Sequence, residues 1–118
     1  MDLKERTKSF ALRVIRLCSA MPQSTVGRVI GDQLLRAGTS VGAHYREASR
    51  ARSTAEFVSK IEGGLQELEE SKYWMELIVE SALLPKARLA DLVGEADELT
   101  AVFVSCSKNA KAKSKART

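Results

Sequence analysis

Arg13 and Arg16, followed by Arg28, Arg36, Arg46, Arg50 and Arg52, place seven guanidinium groups in the first half of a 118-residue chain. A guanidinium is a fixed fork of N–H donors that fits phosphate or carboxylate oxygens in pairs. The segment KNAKAKSKART at 108–118 adds Lys108, Lys111, Lys113, Lys115 and Arg117 with no acid among them. The chain has one histidine, His44, with Ser40 one helical turn before it and Glu47 one turn after. Its two cysteines, Cys18 and Cys106, form no CxxC and have no histidine nearby.

Nucleophilic and metal chemistry find little purchase here. A bundle di-metal site needs Glu-x-x-His on two helices, and this chain reads HYRE around its one histidine. Glu67 and Glu70 share a helix face without a histidine partner, and no Ser/His/Asp or Cys/His pairing is legible. The expectation is therefore no catalytic residue, no metal and no cofactor. His44 and Glu47 read as a polar pair that, with Ser40, forms a seam fixing register between helices or subunits. The cysteines read as free thiols in a reducing compartment, at opposite poles of the fold.

The arginines leave two readings open. They can pair with Glu56, Glu62, Glu67, Glu69 and Glu70, across the bundle or across a subunit boundary. Alternatively they form a basic surface that grips phosphates, which requires only Lys and Arg and carries no sequence information. Residues 1–52 carry ten Lys/Arg and four Asp/Glu, residues 53–107 four and eleven, and residues 108–118 five and none. The net charge of +4 thus averages a basic half, an acidic half and a basic tail. Tyr45 is the one aromatic interleaved with the arginines, so backbone contact is favoured over stacking on bases.

The elements that position these groups follow from composition and period. With 44% hydrophobic and 29% charged residues the chain is globular, and 5% aromatics with two prolines is a helical mixture. Apolar residues recur every three or four positions in four segments: Leu3, Phe10, Val14, Leu17; then Ile30, Leu34, Ala37, Val41, His44, Ala48; then Phe57, Ile61, Gly64 or Leu65, Leu68, Met75, Ile78, Ala82; then Leu89, Leu92, Ala96, Leu99, Phe103, Cys106. Pro22 and Pro85 punctuate them, Ser24 or Thr25 can cap the second helix, and Ser53 with Glu56 has the capping-box spacing. The pattern predicts an all-α, up-down-up-down antiparallel four-helix bundle over residues 1–107, the second and third helices being the long ones, with a flexible basic tail at 108–118. Gly31, Gly38 and Gly42 share one face, where another backbone should come close. No apolar run approaches the ~20 residues of a membrane span, and MDLKERTKSF has no apolar stretch of a secretory leader, so a cytoplasmic location is expected.

Gln33-Leu34-x-Arg36-Ala37-x-x-Ser40-Val41-x-Ala43, then Glu47, Arg50, Arg52, Ser53 and Glu56-Phe57, carry a family likeness, joined on the third helix by Glu67-x-x-Glu70 and Tyr73-Trp74-x-Glu76-Leu77. This stretch, about half the chain, resembles the bacterial four-helix-bundle family known as the 23S rRNA intervening-sequence proteins. The resemblance implies a ring, commonly a homopentamer, without catalytic activity. It also implies kinship with the accessory protein of diversity-generating retroelements, a basic barrel that partners a reverse transcriptase and nucleic acid. One residue departs from the pattern: the family usually has asparagine where this chain has His44. The partners to expect are further copies of the chain, RNA or DNA, or a protein such as a reverse transcriptase, with no membrane.

Overall fold

Three helix starts are set by a single short side chain each. The Asp2 carboxylate accepts from the Glu5 amide at 2.8 Å, the Ser24 hydroxyl from Gly27 at 3.0 Å, and the Ser53 hydroxyl from Glu56 at 3.1 Å. Each satisfies a first-turn N–H that has no partner inside its own helix. The computed structural model describes residues 2–116, in which α1 spans Leu3–Ser19, α2 Thr25–Ser49, α3 Thr54–Glu80 and α4 Lys86–Ala116. The expected capping box at Ser53 is modified: the Glu56 carboxylate reaches back to the Arg52 amide at 3.3 Å.

Each helix packs on its chain neighbours, and α1 closes the square against α4 more sparsely. The result is the expected up-down-up-down bundle, 54 Å long and 23 × 20 Å across. Its core is the set of stripes brought together: Phe10, Val14 and Leu17; Leu34, Ala37, Val41 and Ala48; Ile61, Leu68, Met75 and Ile78; Leu89, Leu92, Ala96, Leu99 and Phe103. Burying a large side chain of this kind contributes about 1.5–3 kcal/mol. Three buried hydroxyl residues were not legible as core, Thr7, Ser71 and Ser107; the first two bond back to carbonyls of their own helix, Leu3 and Glu67, at 2.8 Å.

Small residues let the helices approach. A β-carbon on Gly38 would lie 2.7 and 2.9 Å from the two methyls of Val14, and one on Gly64 would lie 2.5 Å from the Phe103 ring. The glycine face of α2 therefore does meet α1, but the neighbours at Gly31, Gly38 and Gly42 are first of all the side chains of Met21, Val14 and Thr7.

Two boundaries differ from expectation. Ala82 lies beyond α3, in the turn to α4, where its φ of 60° closes the helix end; the Leu83 amide bonds Ile78 O at 3.0 Å across it. The longest helix is α4, at 31 residues, because it runs on through the segment expected as a flexible tail. Alanine and lysine are strong helix formers, lysines suit the negative end of the helix dipole, and Lys111 reaches Glu62 of α3 at 3.4 Å. Arg117 lies outside the described residues.

One fork ties the sparse α1–α4 seam. Arg6 Nε and Nη2 donate to the two carboxylate oxygens of Glu95 at 2.8 and 2.9 Å, and Glu98 stands 3.6 Å away. The hydrogen bond from Arg6 holds the Glu95 carboxyl below its ordinary value.

Two tests follow from this packing. In urea melts, Gly38→Ala should lower stability by about 1–2 kcal/mol after its helix-propensity gain. Gly94→Ala, with nothing within 4 Å of the added carbon, should raise it by up to about 1 kcal/mol, and Ala82→Gly should raise it by a similar amount. A destabilised Gly94→Ala would refute this account of the helix spacing. Glu95→Gln should cost about 1–2 kcal/mol at pH 7. Because the folded Glu95 carboxyl is depressed, its contribution is present above the unfolded value near ~4.3 and is lost as pH falls through the lower folded value. The gap between wild type and Glu95→Gln should therefore shrink near pH 3; an undiminished gap would show that the ion pair is not its cause.

Candidate nucleic-acid interface

The antiparallel topology sorts the basic residues to the two ends of the bundle. At one end the α1–α2 and α3–α4 turns lie together. Here Arg13 and Arg16, late in α1, face a groove of about 250 Å³ that is also lined by Leu17, Arg88, Asp91 and Leu92. Arg28, in the first turn of α2, folds over the α1–α2 turn and donates to Gln23 O at 2.9 Å.

At the opposite end the α2–α3 turn meets the last turns of α4. Arg46 and Arg50 are exposed at the end of α2. Arg52 and Lys113 line one groove of about 570 Å³ with Phe57, Cys106 and Asn109. Lys111 and Lys115 line a neighbouring groove of about 950 Å³ against Val58, Glu62 and Gln66 of α3. Lys108 is exposed one turn before Lys111. The helix thus brings Lys113 beside Arg52, although they are far apart in sequence.

Arg36 sits between the two ends, on the outer side of α2 facing α3. It and His44 lower the Glu67 carboxyl, but burial and Glu70 outweigh them and the Glu67 value is raised.

Among the described residues, five of the eleven acids of α3 and α4 form ion pairs, all with other bases. Glu62 pairs with Lys111, Glu69 and Asp97 with Lys72, and Glu95 and Glu98 with Arg6. Among the described residues, Arg13, Arg16, Arg28, Arg36, Arg46, Arg50 and Arg52 form no ion pair within the chain. The reading that pairs the second-helix arginines with α3 acids inside one bundle is corrected accordingly. Of the acids expected as partners, Glu62 and Glu69 are taken by Lys111 and Lys72 and Glu56 by the Arg52 backbone amide, while Glu67 and Glu70 form no ion pair among the described residues.

The Ser40–His44–Glu47 seam also does not form within the chain. Ser40 Oγ bonds back to Arg36 O at 2.7 Å, and the Glu47 carboxylate pairs with Lys60 of α3 at 2.7 Å, which lowers its pKa. The three-residue offset turns His44 toward α3 and carries Glu47 to the outer edge of α2. The His44 ring lies against Gly63, where an added β-carbon would be 2.8 Å away, and its buried Nδ1 has no hydrogen-bond partner.

The thiols are at opposite ends, as expected, and both are free. Cys18 donates to Gly31 O at 3.4 Å, and burial, with Asp32 nearby, pushes its pKa up to about 11. Burial raises Cys106 as well. Neither is poised as a thiolate nucleophile. Two residues that shape these seams and grooves are not marked by sequence pattern alone. Arg6 carried no signal that could assign it to Glu95, whereas Arg88 stood in the open as a first-turn base of α4 with no acid in that turn. No helix among the described residues is long and apolar enough to cross a membrane.

The comparisons with known proteins agree with this architecture. The profile of the 23S rRNA-intervening sequence protein family matches residues 1–105. A crystal structure from Bacteroides thetaiotaomicron, of a protein of unknown function in the S23 ribosomal protein family, is similar over 91% of this chain and 99% of that one. Its TM-score is 0.85 at 30% identity. None of the curated proteins compared matches. With the family's profile covering all but the last turns of α4, the chain belongs to the 23S rRNA-intervening sequence protein family.

Proposed function

We propose that this protein is a non-enzymatic, ring-forming bundle that binds the phosphate backbone of RNA or DNA through its basic surface. The observation that carries the reading is the set of eight arginines, Arg88 included, without an ion pair among the described residues, whereas Arg6, Lys60, Lys72 and Lys111 do find acids. Unpaired guanidiniums on rigid helices are ready phosphate ligands, and binding them to a polyanion releases its counterions.

Self-association, with a homopentamer as the favoured form, is supported by exposed apolar side chains on α1 and α2: Leu12, Ile15, Val26, Val29 and Leu35. The same side chains favour a second reading, a scaffold for a protein partner such as a reverse transcriptase. Water-exposed Tyr73, edge-on to Trp74 at 5.1 Å between ring centres, would serve such a contact.

Solution mass and binding of labelled duplex RNA and DNA at about 50 and 200 mM salt separate the readings. With three phosphate contacts the affinity should fall roughly fortyfold between those concentrations. Replacing Arg46, Arg50, Lys108 and Lys113 by glutamine should weaken binding of all sequences alike and flatten the salt slope. A ring that binds neither nucleic acid would refute the proposal and leave the arginines as contacts between subunits or with a protein.

A further inference from the structure

The groove between α1 and α4 differs from the other basic regions because three guanidiniums converge on it. Arg13 and Arg16 come from one wall and Arg88 from the other, over a floor of Leu17 and Leu92. Asp91 is the one acid in the lining, so the groove holds a surplus of two positive charges. Among the described residues, neither these arginines nor Asp91 form an ion pair. The next acid along the seam, Glu95, feels the charge of Arg13 but is held by the Arg6 fork. Like charges gathered over an apolar floor repel one another more strongly than in open water, and a bound anion removes that repulsion. The first turn of α4 carries Lys86 and Arg88 without an acid, so nothing in that turn offsets the charge from above.

We propose that this groove is a phosphate-binding site, with Arg16 and Arg88 as its opposed forks and Arg13 as its inner wall. A volume of about 250 Å³ accommodates one or two phosphate groups with their water and is too small for a folded partner. Two or three forks around one centre suit a tetrahedral, multiply charged group better than a single carboxylate. The phosphates can belong to a nucleic-acid backbone or to a free polyphosphate. The first source rests on the proposed function above, whereas the site itself does not.

The test uses the full chain, with inorganic tripolyphosphate as probe and sodium chloride at matched ionic strength as control. Thermal melts of wild type, Arg16→Gln, Arg88→Gln and Arg88→Lys are compared with Arg50→Gln at the far end of the bundle. Arg16, Arg88 and Arg50 are exposed, so these variants keep the core intact. Wild type and Arg50→Gln should show a saturable rise in melting temperature. That rise should need about tenfold more probe, or vanish, in Arg16→Gln and Arg88→Gln, and be partly restored in Arg88→Lys. Equal stabilisation of all variants, or none beyond the chloride control, would overturn the site. RNA binding by the same proteins then identifies the source. Parallel loss of RNA affinity supports the site as a backbone contact. Retained RNA binding with lost tripolyphosphate binding supports it as a site for a free polyphosphate. Tripolyphosphate bound by a protein that ignores RNA keeps the site and removes the nucleic-acid function.

Discussion

Close packing at glycine decides which way every charged residue faces. Val14 against Gly38 sets how α1 lies on α2, and Phe103 against Gly64 sets how α4 lies on α3. With 3.6 residues per turn, fixing one face of a helix fixes all the others. On α2 the buried arc of Gly31, Leu34, Gly38, Val41 and Gly42 leaves Arg28 and Arg46 toward the α1 side and Arg36 toward the α3 side. The basic surface is thus a consequence of where the core is, and not of the arginines seeking any particular acid.

That ordering also explains why the charge balance of the two halves is not cancelled by ion pairs inside the bundle. A positive first half and a negative second half invite the expectation that they pair. Pairing, however, is decided at the outer edges of adjacent helices, where only a few positions come within reach. At the α2–α3 edge the match is Glu47 with Lys60, and across the α3–α4 edge Lys72 bridges to Asp97 and Glu62 reaches Lys111. Each of these acids meets a lysine, and among the described residues every arginine but Arg6 is left without an ion pair. Exposed pairs of this kind add little stability; their consequence here is which charges they leave over.

The helical period was the strongest signal in the sequence because burial acts on every turn of every helix, and the apolar stripes foretold nearly the whole core. What it did not contain is the partner of each polar group. Arg6 and Glu95 are 89 residues apart and meet only because α1 closes on α4, a contact that no local spacing encodes. His44 and Glu47 have the spacing of a helical pair, yet three residues carry Glu47 out to Lys60 while the histidine turns in against Gly63. Ala82 continued the apolar rhythm, but a left-handed residue closing the end of α3 overrode it. Composition departs furthest from the structure at the lysine-rich end, where a stretch with no apolar core of its own predicts a flexible tail and α4 runs on to Ala116. There helix propensity, the helix dipole and one contact to α3 act together.

That last difference changes what the lysines can do. In a flexible tail their spacing would carry no geometry, and each would offer a diffuse charge to any anion. On α4, Lys108, Lys111 and Lys115 fall on one stripe by the i, i+3, i+7 rule, and about 10 Å of helix separates the first from the last. Lys113 turns to the other side and shares the groove of Arg52. Phosphates along a nucleic-acid strand are also regularly spaced, so an ordered array can be in or out of register with them, as a disordered one cannot. Ordering on the helix further lowers the conformational entropy lost when such a strand is gripped. The same helix carries Arg88 in its first turn and ends among these lysines, so a single rigid element carries positive charge to both ends of the bundle.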